Sequence, residues 1–476
     1  MRRDEIPVEE IDFHPTSFCD RDGRVFWWKG ELYRGITETY AGLCKKLFAD
    51  GIAQKLVEKK FLVETELTNL TLNGYELVLK HRRVPFVSYA NEWCPEMLRD
   101  AGLFITDMML ELGGYGLLLD VDTWDMLFDQ CQPVYVDFCS IMAADSSDKY
   151  LLDLIRDDFR SYFIYPLQLM ARGYGNLARW LLSDYEHKVI QAEFAALMGH
   201  QIYNFTENHG PLSSLSIIRR RIRQSVRPLF RKGIGLIASG MSKSVSDVNL
   251  KSDDLVRQLR HELLSIAPPP AREKQTGGEN CFRSLTPADD WTPKHHLVYK
   301  VLSDLCPATV LDMGSGQGWY SQLAASLGSS VVAIDVDDRC VAACYQEARN
   351  KNLPILPLVM DIRYPSPGHG TCNQVIAPAL QRLPCEMVLA LSLVDLLVFN
   401  QYLTFEQTCQ TFAAFSKKWL LVEFADREDR EVRQRWTKWH SWYTLENFLD
   451  VLKKQFRRVS TIPSHPASRV LLLCEK

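Results

Sequence analysis

The sequence lacks several things that would have placed it quickly. Its thirteen cysteines contain no C-x-x-C pair and are odd in number, which supports neither a disulfide framework nor a zinc knuckle. No run of ~18 uncharged apolar residues occurs, and the N-terminal MRRDEIPVEEIDFHPTSF has charges throughout and no apolar signal core, so a cytoplasmic protein is expected. Neither sign of charge dominates. With 55 basic and 59 acidic side chains the formal charge is -4, which removes any global demand for a nucleic-acid partner. No internal repeat is evident.

What is present divides the 476 residues into a few folding units. The stretch APPPAREKQTGGEN, Ala267 to Asn280, breaks both helical and strand periodicity and reads as a linker. Before it, LKSDDLVRQLRHELLSI places Leu255, Leu259 and Ile266 on one stripe of a helix. After it, apolar runs alternate with helical patterns: ATVLDMG, a helix from Trp319, SSVVAID, a helix over Asp338 to Asn350, ILPLVMD, EMVLALSLVD, a helix near Thr404 to Phe415, and WLLVEF. This alternation predicts a parallel sheet with helices on both faces, closed by an antiparallel hairpin from FRRVS and SRVLLLCEK. The N-terminal part is α+β in order. It has a hairpin around Lys29-Gly30, strand in YELVLKHRRVPFVSY, a helix in LRDAGLFITDMMLELG, two short strand pieces in LLLDVDTWDMLF and QPVYVDF, and helices from about Tyr150 to His200. The expected division is an α+β domain at 1–205, a basic helical connector with the linker at 206–284, and an α/β domain at 285–476.

The chemistry concentrates in VLDMGSGQGWYSQLAASLGSSVVAIDVD. A strand runs into Gly314, Gly316 and Gly318 and then a helix, the arrangement that brings backbone close to a ligand. A dinucleotide site would read G-x-G-x-x-G. Here the loop is D-x-G-x-G-x-G, and an acid just before the glycines repels phosphate but attracts an ammonium. Asp335 closes the next strand, where a carboxylate can accept both hydroxyls of a ribose. Residues 291–476 thus resemble the class I S-adenosylmethionine-dependent methyltransferases, with a Rossmann-like, mostly parallel seven-stranded sheet. The resemblance implies S-adenosylmethionine as cofactor, with Asp312 and the Gly314, Gly316 and Gly318 loop at its methionine end, Asp335 on the ribose, and Asp361 on the adenine amino group. At the end of the fourth strand Ser392, Asp395 and Asn400 are the polar candidates for the methyl acceptor, Asp395 being the candidate base, and Glu423 is a further candidate from the fifth strand. The aromatic run Trp436, Trp439, His440, Trp442 and Tyr443 either lines a lid or packs on the sheet.

Phrases such as AIDVDDRCVAACYQEARNKNLPILPLVMDIRYPSPGHG and LVLKHRRVPFVSYANEWCPEMLRDAG resemble the NoeA-type nodulation proteins and related methyltransferases. The segment LLLDVDTWDMLFDQCQPVYVDFCS has the spacing of a degenerate protein-kinase catalytic loop: Asp120, Asp125 five residues on, then Asp137-Phe138 after a hairpin. Such acids are candidate ligands for magnesium, although Leu118-Leu119 and Cys139 replace kinase residues and no glycine loop precedes them, so the module is expected to be kinase-like in shape and not to transfer phosphate. Arg34 or Lys80 is the candidate nucleotide-binding base there. Finally, residues 215–232 are basic and amphipathic, with a solvated connector face as the first reading and contact with nucleic acid or an anionic membrane as the second. The expected function is methyl transfer to an acceptor that the N-terminal module recognises or gates. The alternative is a non-catalytic, cofactor-sensing pseudokinase scaffold.

Overall fold

A computed structural model describes residues 4–18, 20–143, 149–184, 191–198, 244–273, 284–288 and 291–476. The basic stretch 215–232 lies outside the described residues.

The N-terminal half begins with strands β1 (Asp12–Phe13), β2 (Gly23–Trp28) and β3 (Glu31–Ile36). The β2–β3 hairpin turns at Lys29 and Gly30, whose φ values of +51° and +80° are those of a two-residue turn matched to strand twist. Helix Glu38–Ala49 and strands β4 (Thr65–Leu67) and β5 (Leu77–His81) complete an antiparallel sheet of order β1-β2-β3-β5-β4. YELVLKHRRVPFVSY gives only β5 as strand; from Arg82 to Tyr89 the chain is a connecting loop, in keeping with Pro85, which cannot donate to a ladder. Helix Pro95–Gly113 follows, then β6 (Leu117–Leu119), β7 (Met126–Asp129), β8 (Gln132–Tyr135) and β9 (Ile141–Ala143), paired antiparallel as β7–β8 and β6–β9. Tyr40 ties the two parts together, its buried hydroxyl donating to the carbonyls of Phe138 at 2.8 Å and Ile141 at 2.9 Å. Between Tyr150 and Met198 the described residues are mostly helical, with breaks at Arg172–Tyr174 and Ser183–Asp184.

Helix Ser244–Leu264 packs on helix Pro95–Gly113, burying Val256, Leu259 and Leu263. Leu263 comes so close to Gly102 that a Cβ there would meet it at 2.7 Å. Leu255, expected on the buried stripe, is at its margin, because the stripe is centred one residue further along.

The C-terminal half holds β10 (Thr309–Met313), β11 (Ser330–Asp335), β12 (Ile355–Val359), β13 (Cys385–Ala390), β14 (Ser416–Ala425), β15 (Arg458–Pro463) and β16 (Arg469–Glu475). Their order is β12-β11-β10-β13-β14-β16-β15, parallel through β14. The closing hairpin is antiparallel as expected, but β16 inserts beside β14 and only β15 lies at the edge. Near-continuous apolar strands such as VLDM and VVAI are buried on both faces, as a covered parallel sheet requires. The chain leaves β10 toward β11 on one side while β13 lies on the other. That reversal opens a crevice at the carboxyl ends of β10 and β13.

The two halves meet through specific buried contacts. Arg382 reaches from helix Ala379–Arg382 to Glu92 and the Val87 carbonyl, and lies over the Tyr89 ring at 4.3 Å; the Arg382 and Glu92 side chains are 4% and 0% exposed. Tyr345 donates to Asp100 at 2.8 Å, and Arg349 pairs with the same carboxylate. Among the described residues no helix is long and apolar enough to cross a membrane.

Candidate functional site

Gly314, Gly316 and Gly318 connect β10 to helix Trp319–Ser326 with φ values of +71°, +55° and +81°, all in the left-handed region. Their reasons differ. A Cβ on Gly318 would meet Cys344 Sγ at 2.4 Å and one on Gly314 would meet Leu393 at 3.1 Å, whereas nothing lies within 4 Å of the position at Gly316. The middle of the loop therefore faces open space. Ser315 Oγ and Gln317 Oε1 are buried at this loop without a partner, which suits a ligand that brings its own polar groups.

The three strand-end acids have distinct settings. Asp335 accepts from the Gly316 N–H at 2.8 Å and the Asp337 N–H at 2.9 Å, so it joins the glycine loop to the β11 turn; burial raises its pKa. Asp361 lies beyond β12 in a forked pair with Arg363. Burial works to raise its carboxyl, but the guanidinium and backbone N–H of Arg363 hold it below its usual value. Asp312 sits deeper, beneath the loop, where Ser321 Oγ donates to it at 2.5 Å.

Burial pushes the Asp312 carboxyl up to about 6, with Ser321 pulling it partly back and Asp335 adding to the rise. Between about pH 4 and 6 the folded protein keeps a proton that the unfolded chain has lost, so this group's contribution to stability falls as pH rises through that window. Asp312→Asn is expected to raise the unfolding midpoint at neutral pH, by the equivalent of about 1–3 kcal/mol, with the gain fading toward pH ~4. Urea melts at the two pH values check this. An equal gain at both would sink the assignment.

At the carboxyl ends of β13 and β14 the structure gathers two expected residues and adds two missed ones. Ser392, in left-handed backbone at φ +52°, donates through its N–H and hydroxyl to Glu423 Oε2 at 2.9 and 2.8 Å. Lys294, 2% exposed, donates to the same oxygen at 2.7 Å, and Arg469 reaches Ser392 Oγ at 3.1 Å while gripping Asp429. Glu423 Oε1 is buried without a partner. Asp395 is buried nearby, pushed up to about 6 by desolvation against the pull of Arg469 and Arg435, and Arg435 lies 3.3 Å from it. Asn400 does not join them: it is exposed at the end of the turn Leu396–Asn400. In the aromatic run, Tyr443 packs on Phe424 and donates to the Ala425 carbonyl at 3.0 Å, while Trp439 is 77% exposed. Both ends of that run meet the core, Tyr443 buried and Trp436 half-buried against it, and Trp439 between them is surface.

In the N-terminal half the Asp125 and Asp137 carboxylates meet at Ser140, which Asp120 joins through its backbone. The Ser140 carbonyl accepts from the Asp120 N–H at 2.9 Å, and the Ser140 hydroxyl lies 3.1 Å from Asp125 and 2.5 Å from Asp137. Arg34, on β3, donates from one nitrogen to Asp137 at 2.6 Å and to Asp20 at 3.2 Å. Asp20 comes from the β1–β2 loop, and burial with the Asp137 charge pushes it up to about 6 despite Arg34. Oxygens of Asp20 and Asp137 and the sulfur of Cys139 lie within 4.8 Å of one another. This donor set does not suit magnesium, which prefers oxygens and would have to displace a guanidinium that already offsets both carboxylates. Lys80 instead pairs with Glu31 at 3.1 Å on the surface.

The strand order, the reversal at β10 and β13, and the loop with its acids define the C-terminal half as a class I S-adenosylmethionine-dependent methyltransferase fold, and S-adenosylmethionine is the cofactor this loop fits. No family model matches the chain. Over 396 residues it is 22% identical to the nodulation protein NoeA of Rhizobium meliloti, covering 79% of this chain and 77% of that protein. A probable S-adenosylmethionine-dependent methyltransferase of Mycobacterium tuberculosis is 33% identical over 87 residues, 17% of this chain and 32% of that one. The bifunctional kinase-methyltransferase WbdD superposes with 19% identity and a TM-score of 0.28 over 37% of each chain. The chain is thus similar to NoeA along more than three quarters of the length of both.

Several side chains at these sites carry no mark in the sequence, among them Lys294, Arg469, Arg435 and Asp20. Lys294 and Arg469 are isolated cations at the start of a helix and of a strand, and nothing local marks them for burial. Arg435 stands among other surface arginines.

Proposed function

We propose that the chain moves a methyl group from S-adenosylmethionine to an acceptor bound at the carboxyl ends of β13 and β14. The observation that carries this is the left-handed glycine loop, open at Gly316 and fastened by its N–H to Asp335. In this reading Asp335 accepts from the ribose hydroxyls, the loop and Asp312 lie at the methionine end, and Asp361 accepts from the adenine amino group. S-adenosylmethionine would supply a methyl on a sulfonium, the electrophile for in-line displacement. The protein's part is to align a nucleophile with it, which by positioning alone is worth several kcal/mol of barrier, roughly 7–11 at best.

Ser392 and Glu423 are the residues for the acceptor, with Lys294 and Arg469 holding them in place. Asp395 is the base: a carboxyl near 6 is mostly ionised at neutral pH yet able to accept a proton from the attacking group. The N-terminal module recognises or gates the acceptor. Its Arg34 occupies the carboxylate that phosphotransfer would need for a metal, which favours recognition over a second transfer activity.

The test is incubation of the protein with methyl-labelled S-adenosylmethionine and fractionated cell extract. Release of S-adenosylhomocysteine matched by label in one fraction is expected, and Asp395→Asn should lower the rate by about a hundredfold if general-base catalysis operates. Binding of the cofactor with no transfer to any fraction would favour the scaffold.

A further inference from the structure

The turn after β11 carries Asp335, Asp337 and Asp338 within four residues. Carboxylates this close repel one another unless cations lie among them. Asp337 is helix-capping, accepting from the Arg339 N–H at 3.0 Å, and Asp338 is in the first turn, where the helix dipole favours it. Those local terms leave the net negative charge in place. Two arginines from elsewhere offset it.

Arg179, from helix Gly175–Leu182 in the N-terminal half, lies 3.2 Å from Asp338, its side chain 14% exposed. Arg272, in the linker, lies 3.0 Å from Asp337. The linker is tied down further: the Arg272 N–H donates to the Arg339 carbonyl at 3.0 Å, and Arg339 Nε donates to the Pro270 carbonyl at 3.2 Å. The same few residues hold the glycine loop. Gln317, between Gly316 and Gly318, donates its side-chain amide to the carbonyls of Arg272 at 3.0 Å and Glu273 at 2.8 Å. Residues 270–273 thus bridge the two loops that Asp335 joins from within.

We propose that Arg179 and Arg272 are positioning residues for the cofactor, so that the linker and the N-terminal module form an outer brace setting the spacing between the glycine loop and the Asp335 turn. This rests on the reading of the loop as an S-adenosylmethionine site. It gives the N-terminal module a part in the methyl-donor site as well as at the acceptor.

The experiment is calorimetric titration of the full chain with S-adenosylhomocysteine. Arg179→Met and Arg272→Met are compared singly and together, alongside Arg179→Lys, with the thermal midpoint of each recorded without ligand. The double variant is expected to bind about tenfold more weakly, a loss of about 1.4 kcal/mol. Its ligand-free midpoint should stay near wild type, and Arg179→Lys should recover most of the affinity. Moderate salt should weaken the wild type more than the double variant, because screening acts on the partly exposed pairs. Should Arg179→Met fail to fold, Arg272→Met, on the surface, still carries the test with a smaller loss. Wild-type affinity in the variants would overturn the proposal. So would a loss of affinity only in step with a lowered midpoint, since that is general destabilisation. No binding by the wild type would remove the cofactor reading itself, and the brace with it.

Discussion

Asp335→Ala is expected to weaken S-adenosylmethionine binding by roughly a hundredfold or more while leaving the chain folded. The carboxylate would accept from two ribose hydroxyls, charge-assisted bonds worth about 1.5–3 kcal/mol each, and alanine leaves those hydroxyls and the Gly316 N–H without their acceptor. Asp335→Asn should fall between, since an amide keeps one acceptor but not the charge. Burial raises the Asp335 pKa, so wild-type affinity should begin to fall at a less acidic pH than an ordinary aspartate would give, because protonation removes an acceptor. Titration calorimetry reads all three. Unchanged affinity in the alanine variant would take the ribose role away from Asp335.

The second large effect concerns the seam between the halves. Arg382→Met leaves the Glu92 carboxylate fully buried without its guanidinium, and breaking one side of such a pair typically costs about 3–5 kcal/mol. Glu92→Gln with Arg382→Met should recover a good part of this, because no uncompensated charge remains. Arg349→Ala is the contrast: Arg349 is 46% exposed in its pair with Asp100, and its loss is expected to cost under about 1 kcal/mol. Urea denaturation followed by tryptophan fluorescence ranks the three. A midpoint for Arg382→Met no lower than that of Arg349→Ala would show that the seam is not held as described.

Local pattern made much of this fold readable. The Lys29-Gly30 turn, the helix from Trp319 and the helix over Asp338 to Lys351 follow from turn chemistry, capping and periodicity, which act over a few residues. The Gly314 to Gly318 loop was legible for a related reason: three glycines in five residues after an apolar strand have few structural explanations. What escaped notice depends on distance. Arg382 and Glu92 are 290 residues apart, and each alone looks like an ordinary surface charge. Lys294 and Glu423 are 129 apart. Arg34 enters the sequence analysis only as a candidate nucleotide-binding base and not as the partner of Asp137, because a salt bridge across 103 residues leaves no periodic mark. Asn400 is a different case. Its place after the fourth strand suggested the site, but the turn Leu396–Asn400 carries it out to solvent.

The direct measurement of the central reading is a pair of titrations of the wild-type chain, one with S-adenosylhomocysteine and one with NAD. The D-x-G-x-G-x-G loop places an acid where a pyrophosphate would need cations or free N–H groups, and the Gly316 N–H already donates to Asp335. Saturable binding of S-adenosylhomocysteine, with no heat from NAD at the same concentrations, is the expected result; binding of NAD in preference would contradict the methyltransferase assignment outright.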